Sequence, residues 1–335
     1  MHAYLDIISN SAYKVTTLSI ESSSLKFSGH QTFPIRYGWI YKIIQEVKDG
    51  KSIAGKDEVE SQMERMGMGK NMVLSVRHWV RALNLVTCTD KKALTYELTP
   101  LAHKLFVGEN AYDEYLDKIG TTWLLHWLLQ SIPTEKAELN ASRFFFNYFN
   151  GIKVSKDRLT IDIHDSLAHH DKPLTDATLG KDIDCLLQMY AQKTLQPGKI
   201  NEDSFASPFT ELGLLKHEEG KNYLAELSKR SSLPIETFAY AVIDFMQNKL
   251  KDSNVNTLSF DALLNDIGSP GKVFRLSSNG LSEKLDELEL LSEGRIAWTD
   301  TQGLRQLQHS FENLATVEPS LYLEQYYLTN KNKEQ

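Results

Sequence analysis

Three groups of residues have types and spacings that point to chemistry. Glu202, Asp203 and Glu211 flank the stretch Phe205-Ala-Ser-Pro-Phe-Thr210, and carboxylates presented from loops are the oxygen donors that a hard divalent ion such as magnesium takes. A nuclease uses such an ion to stabilise charge on the attacked phosphate; the plainer expectation is a solvated acidic loop before a capped helix from Thr210. Lys70, Asn71, Arg77 and Arg81 form a second group, cationic and amide side chains of the kind that hold a DNA backbone. The third is Asp162, His164, Asp165, His169, His170 and Asp171. Imidazoles and carboxylates together suit a transition ion, yet the spacing matches no HExxH pattern, and the segment also reads as a polar loop.

A helix must position the second group. Between Glu64 and Asp90 the chain has no acid, although its formal net charge is -7 over 335 residues. Val73, Val76, Val80 and Leu83 recur at helical steps, at about 100° per residue, so they share one buried face. Lys70, Arg77 and Arg81 fall on another face, with Asn71 and His78 beside it. A helix that follows a Gly-x-Gly turn and is apolar on one side and basic on another fits the recognition helix of a winged helix-turn-helix. An amphipathic helix with a solvated cationic face explains the same pattern.

The bulk numbers set limits. The length allows two or three domains with cores, and 41% hydrophobic with 24% charged residues is ordinary for a globular chain. Two distant cysteines, Cys88 and Cys185, form no CxxC unit and suggest a reducing cytoplasm without structural zinc. No signal-peptide pattern opens the sequence, and the apolar run Trp123 to Ile132 is too short to cross a bilayer. A negative total does not exclude nucleic acid, because phosphate binding depends on local patches, and Ser22 to Gln45 is a second acid-free window.

The expected fold is mainly α, an α+β chain with small β-wings. Residues 1–110 read as a winged helix-turn-helix: a helix entered through Thr32 and Pro34, a second at 57–64, the basic helix, a strand at 94–98, and a helix from Pro100. Residues 111–255 read as a central helical region with the acidic loop. There Trp123, His126 and Trp127 share a face and Phe144, Phe145, Phe146 and Phe149 crowd together; such aromatics can stack bases but more often form a core. Asp182 and Asp184 cannot face the same way on a helix, so they make a poor carboxylate pair. Residues 256–335 repeat the helix–strand order as a winged-helix-like module with a polar tail. Glu283, Asp286, Glu287 and Glu289 make its long helix acidic, which suits a protein contact rather than phosphate, with Lys272, Val273, Phe274 and Arg275 as a basic and apolar edge.

Three separated motifs also carry a family resemblance. Phe27-Ser-Gly-His-x-Thr-Phe-Pro-x-Arg-Tyr-Gly-Trp39, Met66-Gly-x-Gly-Lys-Asn-Met72 and Trp123-Leu-Leu-His-Trp127 resemble the SspB-type proteins of bacterial DNA phosphorothioation clusters, a domain of unknown function distinct from the protease adaptor of the same name. The blocks Phe205 to Leu215 and Ser269 to Leu281 are similar to the same family, so the likeness spans nearly the whole chain. It implies a component that works beside a cysteine desulfurase, an ATPase and an ATP pyrophosphatase, binding and nicking DNA with magnesium. Within the first motif it implies His30 as a group that moves a proton and Arg36 as one that holds a phosphate; a buried corner seating the first helix is the alternative. Gln31 stands where the family pattern has Glu, and an amide cannot replace a carboxylate ligand or base. A non-catalytic winged-helix adaptor that recruits the sulfur-transfer proteins, or a transcriptional regulator, are the other expectations.

Overall fold

The computed structural model describes residues 24–131, 138–170, 174–192, 207–251, 255–301 and 303–331. Helices dominate, and the strands form small sheets of two to four members. The first region runs β1 (Ser24–Leu25), α1 (Trp39–Lys48), α2 (Glu58–Met66), α3 (Lys70–Ala82), an antiparallel hairpin of β2 (Val86–Asp90) with β3 (Thr95–Leu98), and α4 (Pro100–Phe106). Val73, Val76, Val80 and Leu83 are fully buried, as their periodicity requires. Thr99 caps α4 by accepting the Ala102 N–H, with Pro100 in the first turn.

The helix expected from Pro34 begins instead at Trp39. Gln31 and Thr32 take left-handed backbone, φ 48 and 66, which holds the preceding residues in a tight corner rather than a helical turn. Gly29 is required there: φ is 117, and a Cβ would meet His78 Nδ1 at 2.7 Å.

Central elements follow as α5 (Ile119–Gln130), β4 (Glu138–Leu139), α6 (Ala141–Asn147), β5 (Lys153–Ser155), α7 (Lys156–Ser166), α8 (Asp176–Tyr190), β6 (Ala191–Gln192), a 3-10 turn Pro208–Leu212, β7 (Leu215–His217), β8 (Asn222–Leu224) and α9 (Ile235–Leu250). β4 pairs in parallel with β1, so the first region is sewn to the central one. Helix α5 is apolar around its whole circumference and lies inside the molecule. His126 sits at its centre, fully buried, with Nε2 facing the Val273 carbonyl at 2.8 Å and Nδ1 facing the Tyr190 hydroxyl at 2.8 Å. Trp123, Trp127, Phe146, Phe209 and Phe274 are buried around it, so the aromatic series is core. Two expectations change here. Residues 161–166 are helical rather than loop, and His164 pairs with Asp176 while Asp162 pairs with Arg158. Among the described residues no three His, Cys, Asp or Glu side chains are placed to hold a metal.

The last region runs β9 (Thr257–Ser259), α10 (Phe260–Asn265), α11 (Pro270–Val273), α12 (Ser278–Leu291), β10 (Ile296–Thr301), β11 (Leu304–His309) and α13 (Leu323–Lys331), with β9, β11 and β10 in one antiparallel sheet. Helix α12 presents Glu283, Asp286 and Glu287 outward, with Leu290 81% exposed. The basic and apolar edge at 272–275 keeps only Lys272 partly exposed: Val273, Phe274 and Arg275 are buried, and the Arg275 guanidinium donates to the Ala225 and Gly151 carbonyls. No helix of the described residues is long and apolar enough to cross a membrane.

Burial pushes both His78 and His126 down to about 3, so both stay neutral in the fold while the unfolded chain protonates them below about 6.5. Their stabilising effect is complete above that value and is lost as pH falls toward 3. Buried Asp113 and Asp244, raised by burial, act with the opposite sign only in the carboxylate range. Chemical denaturation at pH 7.5 and 5.5 should therefore show a loss of about 3 kcal/mol for the two histidines together. A flat profile would contradict their burial.

Candidate nucleic-acid interface and surface tyrosine–carboxylate site

The corner at 27–39 is built by backbone geometry and closed by two long-range bonds. Phe33 N–H returns to the His30 carbonyl, and the Phe33 carbonyl accepts from Ser75 Oγ and Trp79 Nε1 of α3. His30 Nδ1 accepts the Thr32 N–H at 3.1 Å, which fixes the proton on Nε2. Nε2 then faces Asp182 Oδ1 at 2.5 Å, and Asp182 Oδ2 accepts the Ala141 N–H at 2.7 Å. His30 is 5% exposed. The cavity it lines with His78, Trp79, Asp182 and Cys185 holds about 20 Å³, room for a water and not for a phosphodiester. Both ring nitrogens are occupied, so the arrangement suits a positioning role better than proton transfer to DNA.

Helix α3 divides its basic residues. Lys70, Asn71 and Arg81 are exposed, and Arg81 lies beside the Tyr96 ring of the hairpin. Arg77 is 4% exposed. Its Nε donates to Gln62 Oε1 at 2.6 Å and its Nη1 to the Gly55 carbonyl at 2.7 Å; Gln62 continues to Glu46, which also takes Arg65. Burial lowers the Arg77 guanidinium from its usual range. Arg77 therefore braces α2 against α3 and does not belong to the outward face. The helical wheel places it with Lys70 and Arg81, but α2 and the 49–57 loop cover that arc.

An open polar cluster lies where the first motif meets the 3-10 turn. The Tyr37 hydroxyl donates to Glu211 Oε1 across 174 residues of sequence, and Tyr37 is 42% exposed. Burial raises its pKa first, followed by Glu211 and then by nearby Asp117. Arg36 packs its guanidinium over the Phe33 and Trp39 rings. Of the acids singled out for magnesium, Glu211 is here; Glu202 and Asp203 lie outside the described residues. The sequence reading missed Tyr37 and Asp117. Tyr37 stands inside the first motif, but nothing local announces a partner at 211. It missed Asp182 as well, whose partner is 152 positions away.

Compared with known protein families, the sequence matches the one described as protein of unknown function (DUF4007) over residues 27–327. The chain belongs to this family. Two crystal structures of SspB resemble it, one of them with magnesium ion bound. Identity is 26% to the magnesium-bound structure and 27% to the other; each has a TM-score of 0.76 and covers 94% of this chain and 90% of the other. No curated protein matches. The SspB-type likeness read from the motifs therefore extends to the fold. In this SspB-type chain the Phe27–Trp39 motif makes the corner, 66–72 makes the entry to α3, and Trp123–Trp127 makes the centre of the core.

Two substitutions separate bracing from binding. Arg77→Ala should cost about 2 kcal/mol of stability by leaving Gln62 and the Gly55 carbonyl unpaired, with the salt dependence of DNA affinity unchanged. Asp182→Asn should cost a similar amount, because the amide cannot satisfy both His30 and the Ala141 N–H. Denaturant melts and salt-titrated DNA binding read both; a reduced salt slope for Arg77→Ala would return that residue to the interface.

Proposed function

We propose that this chain is the DNA-binding component of a phosphorothioate modification and defence system, holding duplex DNA on a winged helix-turn-helix formed by residues 24–106 and nicking it with magnesium. The observation that carries the reading is the likeness to SspB structures over nearly the whole chain, joined to the exposed Lys70, Asn71 and Arg81 on the third helix of a helix–helix–helix–hairpin order. Phosphate contact by these three needs no base readout. Arg36 is a further phosphate holder at the corner.

Magnesium fits the exposed cluster in one of its usual modes, with one or two carboxylates and the substrate phosphate completing the shell. Asp117, whose charge reaches the cluster, is suited to that mode; Glu211, an acid expected for the ion from the sequence, is taken up by the Tyr37 hydroxyl. An all-protein cage is not supported by the described residues. Bound there, the ion would supply charge neutralisation at a phosphate approaching an acidic patch. His30 acts by fixing the corner that carries Arg36 and Tyr37. Partners would be the cysteine desulfurase, ATPase and ATP pyrophosphatase of such systems, in the cytoplasm.

One observation favours a second reading, a non-catalytic adaptor: α12 offers an acidic surface with an exposed leucine, Leu290, suited to protein contact. Purified protein and supercoiled plasmid discriminate the two. Open circles formed with magnesium and absent with a chelator are expected for the nickase, with loss in Glu211→Ala. DNA retention without any nicking would leave the adaptor. For the interface, Lys70→Ala with Arg81→Ala should weaken binding and lower the salt slope by about 2; an unaltered slope would remove α3 from the contact surface.

A further inference from the structure

We infer that Tyr37 is the nucleophile of the nicking step, attacking the phosphodiester through Oη while Glu211 receives its proton; the inference rests on the nicking reading above. Three placements lead there. Ser28 and Thr32 of the first motif are also exposed, but Tyr37 is its phenol, the more acidic hydroxyl, and already donates to a carboxylate brought from position 211. A nucleophile bonded to its base, in a place a polymer can reach, is the arrangement that activation of a weak hydroxyl demands. The hydroxyl need not be ionised beforehand, because Glu211 takes the proton as the new bond forms.

The second placement is that of the phosphate. Helix α1 starts at Trp39, two residues after Tyr37, behind Gly38 with φ 76; it has no side-chain cap and no acid in its first turn. The start of this helix and Arg36 flank Tyr37 in sequence, a positive dipole end and a cation within two residues of the nucleophile that favour a phosphate near this stretch of chain. The third is the elimination of rivals. His30 is closed off by Thr32 and Asp182. Cys185 is buried and its thiol is held protonated by burial. Tyr115 is exposed too, yet its carboxylate partner is the adjacent Glu114, with no helix start or guanidinium from the motif next to it in sequence.

The chemistry balances without an outside reagent. The Tyr37 Oη–P bond forms and the P–O bond to one deoxyribose oxygen breaks. The phenolic proton goes to Glu211, and the departing alkoxide takes a proton from water. Nothing is oxidised or reduced. The products are a strand ending in a free hydroxyl and a strand joined to the protein as a phosphotyrosine ester. One phosphodiester replaces another, so the step is reversible.

End-labelled duplex and supercoiled plasmid, incubated with the full-length protein and magnesium and then denatured in SDS, test this directly. Label migrating with the protein, and a DNA-linked peptide containing Tyr37 in mass spectra, are expected. Tyr37→Phe should lose both the adduct and nicking, Glu211→Gln should slow both about 100-fold, and Tyr115→Phe should keep both. Melting temperatures confirm that each variant is folded; Tyr37→Phe removes one oxygen from a half-exposed ring and should melt near the wild type. Nicking by wild type with all DNA free of protein, or undiminished nicking by Tyr37→Phe, overturns the nucleophile while leaving the nickase reading intact. Absence of nicking by wild type overturns both.

Discussion

The bond between His30 and Asp182 is the contact on which the rest of the arrangement depends. A buried carboxylate is costly unless its oxygens are hydrogen-bonded, and here each has a donor: the imidazole N–H on one side, the Ala141 N–H on the other. One side chain thus orders the first motif, the start of α6 and the middle of α8. Gly29 lets the corner lie against His78, and left-handed Gln31 and Thr32 turn the chain so that the imidazole points inward. Arg36 and Tyr37 are carried outward by the same turn. Corner and exposed cluster are two faces of one construction.

Buried and half-buried cations follow the same rule with carbonyl groups as partners. Arg230 donates to the Phe274, Gly213 and Glu226 carbonyls, Arg275 to those of Ala225 and Gly151, and Arg77 to that of Gly55. Burial lowers Arg230 and Arg275 to about 10, which still leaves them charged at neutral pH. Guanidinium forks suit such sites because several donors converge on fixed acceptors. These arginines join segments distant in sequence. The number of basic residues in the chain consequently overstates the cationic surface that a nucleic acid would meet.

Local rules were readable from the sequence wherever one helix face decided the outcome. The apolar stripe of α3, the Thr99–Pro100 entry to α4 and the aromatic core around Trp123 and Trp127 all follow from periodicity and capping. Tertiary cover was not readable. Arg77 shares an arc with Lys70 and Arg81, and only the packing of α2 removes it from the surface. Pro34 carries the signature of a helix start, but the two left-handed residues ahead of it serve a bond to Asp182 that no nearby residue announces. Residues 161–166 looked like a loop because their charges hide a short helix whose buried side is only Leu159 and Ile163. In the candidate site, Glu211 was visible as an acid, and its meeting with Tyr37 was not.

The parallel pairing of Ser24–Leu25 with Glu138–Leu139 has a consequence for synthesis. The first hundred residues contain a complete set of helices and a hairpin, yet their edge strand and their corner histidine are completed by segments near 138 and 182. A nascent chain can form α1 to α4 early, but the seam stays open on the ribosome until α8 has emerged. The surface that carries Lys70 and Arg81 and the surface that faces the core are therefore finished at the same moment, only after more than half of the chain has been made.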